Sequence, residues 1–155
     1  MIYPQPDRQL LNQHMKKIKC YIYGDVIDVG GGSNRYKSFF NFTNWVNANI
    51  YKDHNIDLFF DLNISNDYKH KFDTVICNQV LGDVTNPQFS INELGKILKA
   101  GGHIIITESL LNEEHDAPYD YFRFTEYGIK HLINSADDNL KIISFDKRGK
   151  YFSVI

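Results

Sequence analysis

The sequence predicts an α/β protein, a mostly parallel sheet with helices on both faces. Three observations carry that prediction. From residue 26 onward, short apolar runs that read as strands alternate with segments of helical spacing. The first run, Val26 to Val29, ends in Gly30, Gly31 and Gly32, as a buried parallel strand does where it turns beneath a ligand. The 155 residues are 43% hydrophobic and 23% charged, which suits one globular domain over 1–155 with a core of its own.

The elements follow in order. Residues 7–20 place Leu10, Leu11, His14, Met15 and Ile18 at helical spacing, so residues 1–22 hold an N-terminal helix leading into the first strand. "NWVNANI" (44–50), "IDLFF" (56–60) and "FDTVICN" (72–78) read as further strands. In "NPQFSINELGKILKAGG", Asn86 can cap a helix, Pro87 suits its first position and Gly101 its left-handed stop. "HIIIT" (103–107) is the next strand, and Thr125 can cap a helix whose Ile129, Leu132 and Ile133 face inward. "LKIISF" (140–145) and "KYFSVI" (150–155) flank Asp146-Lys147-Arg148-Gly149, which predicts a closing antiparallel hairpin.

Composition narrows the function. A formal net charge of -2 provides no bulk attraction to nucleic acid or to an anionic membrane. Cys20 and Cys77 lie far apart without a Cys-x-x-Cys, so neither a disulfide framework nor a zinc knuckle is expected. The start "MIYPQPDRQL" has no apolar signal core, and the longest aliphatic run, Ile104 to Ile106, is too short to span a bilayer. A reduced, cytoplasmic protein is expected.

Three readings compete for the glycines. From Gly31 the chain resembles a phosphate-cradling P-loop, but Tyr36 stands where the second glycine must admit a phosphate. From Gly30 it resembles a dinucleotide fingerprint, but Arg35 occupies the position that needs a small residue. The third reading fits more residues. "VIDVGGGSN" resembles the first motif of class I S-adenosylmethionine-dependent methyltransferases, a strand followed by acid-x-Gly-x-Gly. "FDTVICNQVLGDVTNP", "INELGKILKAGGHIIIT" and "HDAPYDYFRFTEYGIKHLI" are similar, in the same order, to later segments of those enzymes. The last has the H-x-x-P-x-D-Y-x-R-x-T form of one branch, and together they cover roughly residues 25–136.

The resemblance implies a Rossmann-like three-layer sandwich: a seven-stranded sheet of order 3-2-1-4-5-7-6 with the last strand antiparallel. It implies S-adenosyl-L-methionine as cofactor, held by Asp28, Gly30, Gly31, Gly32, Asn49, Asp61, Leu62 and Asn78. Asn49 stands where an acid usually grips the ribose hydroxyls, with Asp53 as substitute. Asp61 and the Leu62 backbone stand where adenine is contacted, although Asp61 serves equally as a turn residue. Gly82-Asp83 replaces a usual Glu-His pair.

Methyl transfer to oxygen needs alignment and a proton acceptor. Of six histidines, His115 lies past the fifth strand at the carboxyl edge and is the candidate base, with Asp116 or Glu114 near enough to orient it. His14, His54, His70 and His131 read as surface residues, and His103 as packing. Tyr119, Tyr121 and Arg123 are candidate acceptor contacts, although Asp120 and Arg123 can instead pair to fold the loop. The branch implies a small-molecule or sugar hydroxyl as acceptor, possible in surface-polysaccharide synthesis, in an open cleft or across a homodimer interface. The alternative, motivated by Asn49, Gly82 and Asp83, is a non-catalytic domain of the same fold that acts as a binding or scaffold module.

Overall fold

The computed structural model describes residues 6–51, 54–137, 140–148 and 151–155. Its centre is a seven-stranded sheet in the order β3-β2-β1-β4-β5-β7-β6. β1 (Asp25–Val29) lies between β2 (Asn44–Asn49) and β4 (Phe72–Asn78), and both pairings are parallel. β3 (Leu58–Phe59) extends the sheet on one side and β5 (Leu98–Ser109) on the other, again parallel. β7 (Tyr151–Val154) alone runs antiparallel, between β5 and β6 (Phe145–Arg148). The strand order therefore reverses between β1 and β4, which puts a crevice beyond their carboxyl ends.

Two apolar layers sandwich the sheet. α1 (Pro6–Lys17) covers one face through Leu11, Met15 and Ile18, which pack with Val26, Trp45 and Ile76. α2 (Pro87–Ile97) and α3 (Glu126–Asn134) cover the other through Ile91, Leu94, Ile129 and Ile133, against Ile27, Val75 and Ile106. The alternation of apolar residues along β1 and β4 between these clusters is the period-2 signature of strands buried on both faces. Both N-caps occur as the sequence implies, but the expected stop at Gly101 does not: α2 ends at Ile97, and Gly101 lies in β5. The Asn86 side chain accepts from the Phe89 amide, and that of Thr125 from the Gly128 amide. At the amino edge of the sheet Lys99 bridges Asp25 (2.8 Å) and Asp73 (2.9 Å), tying β1, β4 and β5 together.

Several boundaries differ from expectation. The first helix stops at Lys17, and a 3-10 turn over Lys19–Tyr21 completes the link to β1. Residues 140–144 do not form a strand; pairing begins at Phe145, with the Ile143 and Ser144 amides donating to the Ile155 carbonyl. Asp146, Lys147 and Arg148 belong to β6 and not to the turn. Residues 149–150, between β6 and β7 in sequence, lie outside the described residues. His14 is buried at 5% exposure, against Ser153 and 3.5 Å from Asp146, because this side of α1 reaches β6 and β7. Among the described residues no helix is long and apolar enough to cross a membrane.

Candidate active site

The three glycines have three different physical reasons. Gly30 has a φ of +75°, and a Cβ there would stand 2.5 Å from the Val80 side chain. Gly31 lies over Asp28 and Asn47, and a Cβ would come within 2.6 Å of both. Gly32, at φ +44°, meets nothing nearer than 3.9 Å. Two glycines thus let the loop close onto the sheet, and the third leaves the loop surface bare. Asn47 locks this shape from below. Its Nδ2 donates to the carbonyls of Gly32 (3.1 Å) and Asn55 (2.7 Å).

Beneath the loop, Asp28 is buried at the carboxyl end of β1 with 2% exposure. Loss of water raises its carboxyl to about 7. A group so placed is half neutral near pH 7 and ionises readily when a cation comes beside it.

Around the loop opens a cleft of about 580 Å³ at the carboxyl edge of the sheet. Asp28, Gly30, Gly31, Gly32, Asn49, Asp61, Leu62, Asn78 and His115 all line it. Asn49, at the end of β2, accepts the Tyr51 amide at 3.2 Å. Asp61 uses Oδ1 to accept both nitrogens of Asn63, at 2.8 and 2.9 Å, so the turn role expected of it is real and coexists with a place in the cleft. Asn78 accepts from Thr107, while its buried Nδ2 has no acceptor. Asp53 lies outside the described residues.

His115 enters from the loop after β5. Its backbone amide donates to Asp120 at 3.0 Å, and its Nδ1 lies 3.2 Å from both the Glu113 carbonyl and Asp120 Oδ2. Its Nε2 is 3.7 Å from Asp83 Oδ1. The ring is therefore placed by Glu113, Asp120 and Asp83, and neither Asp116 nor Glu114 bonds to it. Asp83, the departure from the family pattern, brings a carboxylate to the Nε2 side of this histidine. Partial burial pushes its carboxyl upward while the nearby imidazole pulls it down.

Arg123 closes the loop. It forms a two-pronged pair with Asp120 (Nη2 to Oδ2 2.6 Å) and donates to the carbonyls of Asn112, Glu113 and Phe122. The guanidinium holds the Asp120 carboxyl well below the usual range. Of the expected acceptor contacts, Arg123 is thus spent on the loop, and Tyr119 and Tyr121 do not line the cleft. Asp83, His115 and Asp120 bring ligand atoms within 4.8 Å of one another. Both Asp120 oxygens already serve Arg123, so the group reads as a chain of ion pairs and not as a metal cage.

Glu108 escaped the sequence reading. It is buried at 4% exposure near the end of β5, accepts the Leu81 amide at 2.9 Å, and is raised to about 8 by burial. Its signal was a lone acid ending an aliphatic strand. A second cavity, about 510 Å³, lies at the opposite end of β5 beside Ile142 and Ile143; it shares no residue with the cleft.

A doubly wound sheet with a bare glycine loop over a buried acid, and a cleft at the strand-order reversal, defines the architecture of a nucleotide-type cofactor enzyme. The comparisons narrow that class. The sequence model of the family described as "Methyltransferase domain" matches residues 52–146, more than half of the chain, and the chain belongs to that family. Among solved structures it is similar to a SAM-dependent methyltransferase from Aquifex aeolicus (TM-score 0.71, 15% identity, 97% of this chain and 92% of that one). It is also similar to 1,6-didemethyltoxoflavin-N1-methyltransferase from Burkholderia thailandensis, solved with 1,6-didemethyltoxoflavin and S-adenosylhomocysteine (TM-score 0.75, 12% identity, 96% and 80%). An O-methyltransferase family protein from Burkholderia thailandensis is a third (TM-score 0.67, 15% identity, 94% and 54%). No curated protein sequence matches the chain.

Proposed function

We propose that this protein is an S-adenosylmethionine-dependent methyltransferase whose acceptor is a hydroxyl of a small molecule or sugar. The observation that carries the reading is the meeting, in one cleft, of a buried acid under a bare glycine loop with a histidine set between carboxylates. The residues present fit the cofactor. Asp28 offers a carboxylate to its ammonium, and the buried Asn78 Nδ2 is a donor in need of an acceptor such as its carboxylate. Asn49, which lines the cleft, would hold the ribose hydroxyls, and Asp61 and the Leu62 backbone would hold the adenine end. When bound, the sulfonium supplies an electrophilic methyl group.

The chain's own contribution is to align and to move a proton. The glycine loop and Asn49 would hold the donor against one wall. His115 takes the proton from the acceptor hydroxyl, which becomes nucleophilic as it loses it. The test is methyl transfer from radiolabelled S-adenosylmethionine to a panel of small hydroxylated acceptors, sugars included. Transfer to oxygen is expected, lost by about 10²-fold or more in His115→Ala with cofactor affinity unchanged. A folded wild-type protein that binds no S-adenosylmethionine would establish the scaffold reading instead.

A further inference from the structure

The structure assigns His115 one tautomer and gives Asp83 the task of stabilising its charged form. This rests on the proposed base role of His115 and names the groups that make that role work. The first step is a matter of donors and acceptors. Nδ1 has two neighbours at 3.2 Å, the Glu113 carbonyl and Asp120 Oδ2, and both can only accept. The ring's hydrogen in the neutral state therefore sits on Nδ1. Nε2 carries the lone pair, the form a proton acceptor needs.

The second step concerns where the proton goes. Asp83 Oδ1 is cut off from solvent, has no hydrogen-bond partner, and lies 3.7 Å from Nε2. That distance is too long for a hydrogen bond, so Oδ1 acts on the ring as a nearby charge and leaves the Nε2 lone pair to the acceptor hydroxyl. When the O–H bond of the acceptor breaks, the proton forms a bond to Nε2, and the electron pair left on oxygen forms the new bond to the methyl carbon, whose bond to sulfur breaks with its pair left on sulfur. His115 then carries a positive charge: Nδ1–H points to Glu113 and Asp120, Nε2–H points to the oxygen that gave the proton, and Asp83, 3.7 Å from Nε2, stabilises the charge from beside it.

Other charges bear on Asp83. Asp116 and Asp120 repel it, Arg123 attracts it, and Glu108 interacts with it from β5. Arg123 is committed to Asp120 and to three carbonyls, which leaves the imidazolium as the cation that Asp83 stabilises. Asp83 and Asp120 are positioning residues, and His115 is the catalytic one.

The experiment is ¹⁵N NMR of the histidine rings in the wild-type protein and in Asp83→Asn. In neutral wild type, His115 Nδ1 should resonate as a protonated ring nitrogen and Nε2 as a bare one. In Asp83→Asn the tautomer should stay the same. Methyl transfer, measured with any acceptor found, should fall about tenfold with cofactor affinity unmoved. Nε2–H in the neutral wild type would overturn the assignment without any variant. An unchanged methyl-transfer rate in Asp83→Asn would remove Asp83 from it. Neither failure touches cofactor binding, which stands or falls separately.

Discussion

The Glu108 carboxyl group accepts the backbone amide hydrogen of Leu81 across 2.9 Å of dry interior. The contact ties β5 to the 3-10 turn Leu81–Asp83 and so sets where Asp83 points. Glu108 is near neutral at pH 7, since burial raises its carboxyl to about 8. The unfolded chain releases that proton near the ordinary 4.5, and the folded one keeps it until about 8. Folding stability supplied by this residue therefore falls as pH rises from about 4.5 to 8. Glu108→Gln keeps the acceptor and cannot ionise. Urea unfolding should find it more stable than wild type at pH 8.5 and close to wild type at pH 5. A wild-type advantage at pH 8.5 would show that the carboxylate is stabilised in place.

Asp28 obeys the same sign rule, with a ligand added. Its carboxyl, raised to about 7, becomes ionised when an ammonium docks beside it. Cofactor binding should then release protons below pH 7, and affinity should rise between pH 5.5 and 7. Calorimetry in buffers of different ionisation enthalpy measures that release directly. Asp28→Asn should bind more weakly and lose the pH dependence.

At the end of β2, Asn49 lines the cleft and uses Oδ1 to accept the Tyr51 amide. Asn49→Asp preserves that bond and offers the ribose a charged acceptor. Cofactor affinity should increase several-fold, about 1 kcal/mol. Equal or weaker binding would place the ribose elsewhere.

The Gly82 carbonyl receives the amides of both Tyr121 and Phe122 at 2.9 Å, and a Cβ on Gly82 would stand 3.0 Å from the Phe122 carbonyl. Gly82→Val should therefore lift the loop that carries Asp120 and Arg123. Methyl transfer should fall at least tenfold while cofactor affinity changes little. An unaffected rate would mean the loop does not position His115.

The parallel sheet was legible because the strands of such a sheet are apolar on both faces and punctuated by glycine, as at Val26–Gly32 and Phe72–Asn78. The cleft side of the site was legible for the same reason: strand ends locate it. What stayed hidden depends on contacts far apart in sequence. Asn47 looks like any strand amide until its bonds to Gly32 and Asn55 are known. The burial of His14 needs Ser153, 139 positions away. Asp83 read as a loss because a Glu-His pair was missing, while the histidine it serves arrives from another loop. Nor does the sequence show that the fold itself needs Gly30, whose φ is +75° and where a Cβ would stand 2.5 Å from the Val80 side chain.

The central claim is that the cofactor lies over the glycine loop in the carboxyl-edge cleft. The most direct measurement is a two-dimensional ¹H–¹⁵N NMR titration with S-adenosylhomocysteine. The account predicts saturable shifts concentrated at Gly30 to Gly32, Asn49, Asp61 and Asn78, with the residues around Ile142 still. Shifts centred on the second cavity, or none at millimolar ligand, would contradict it.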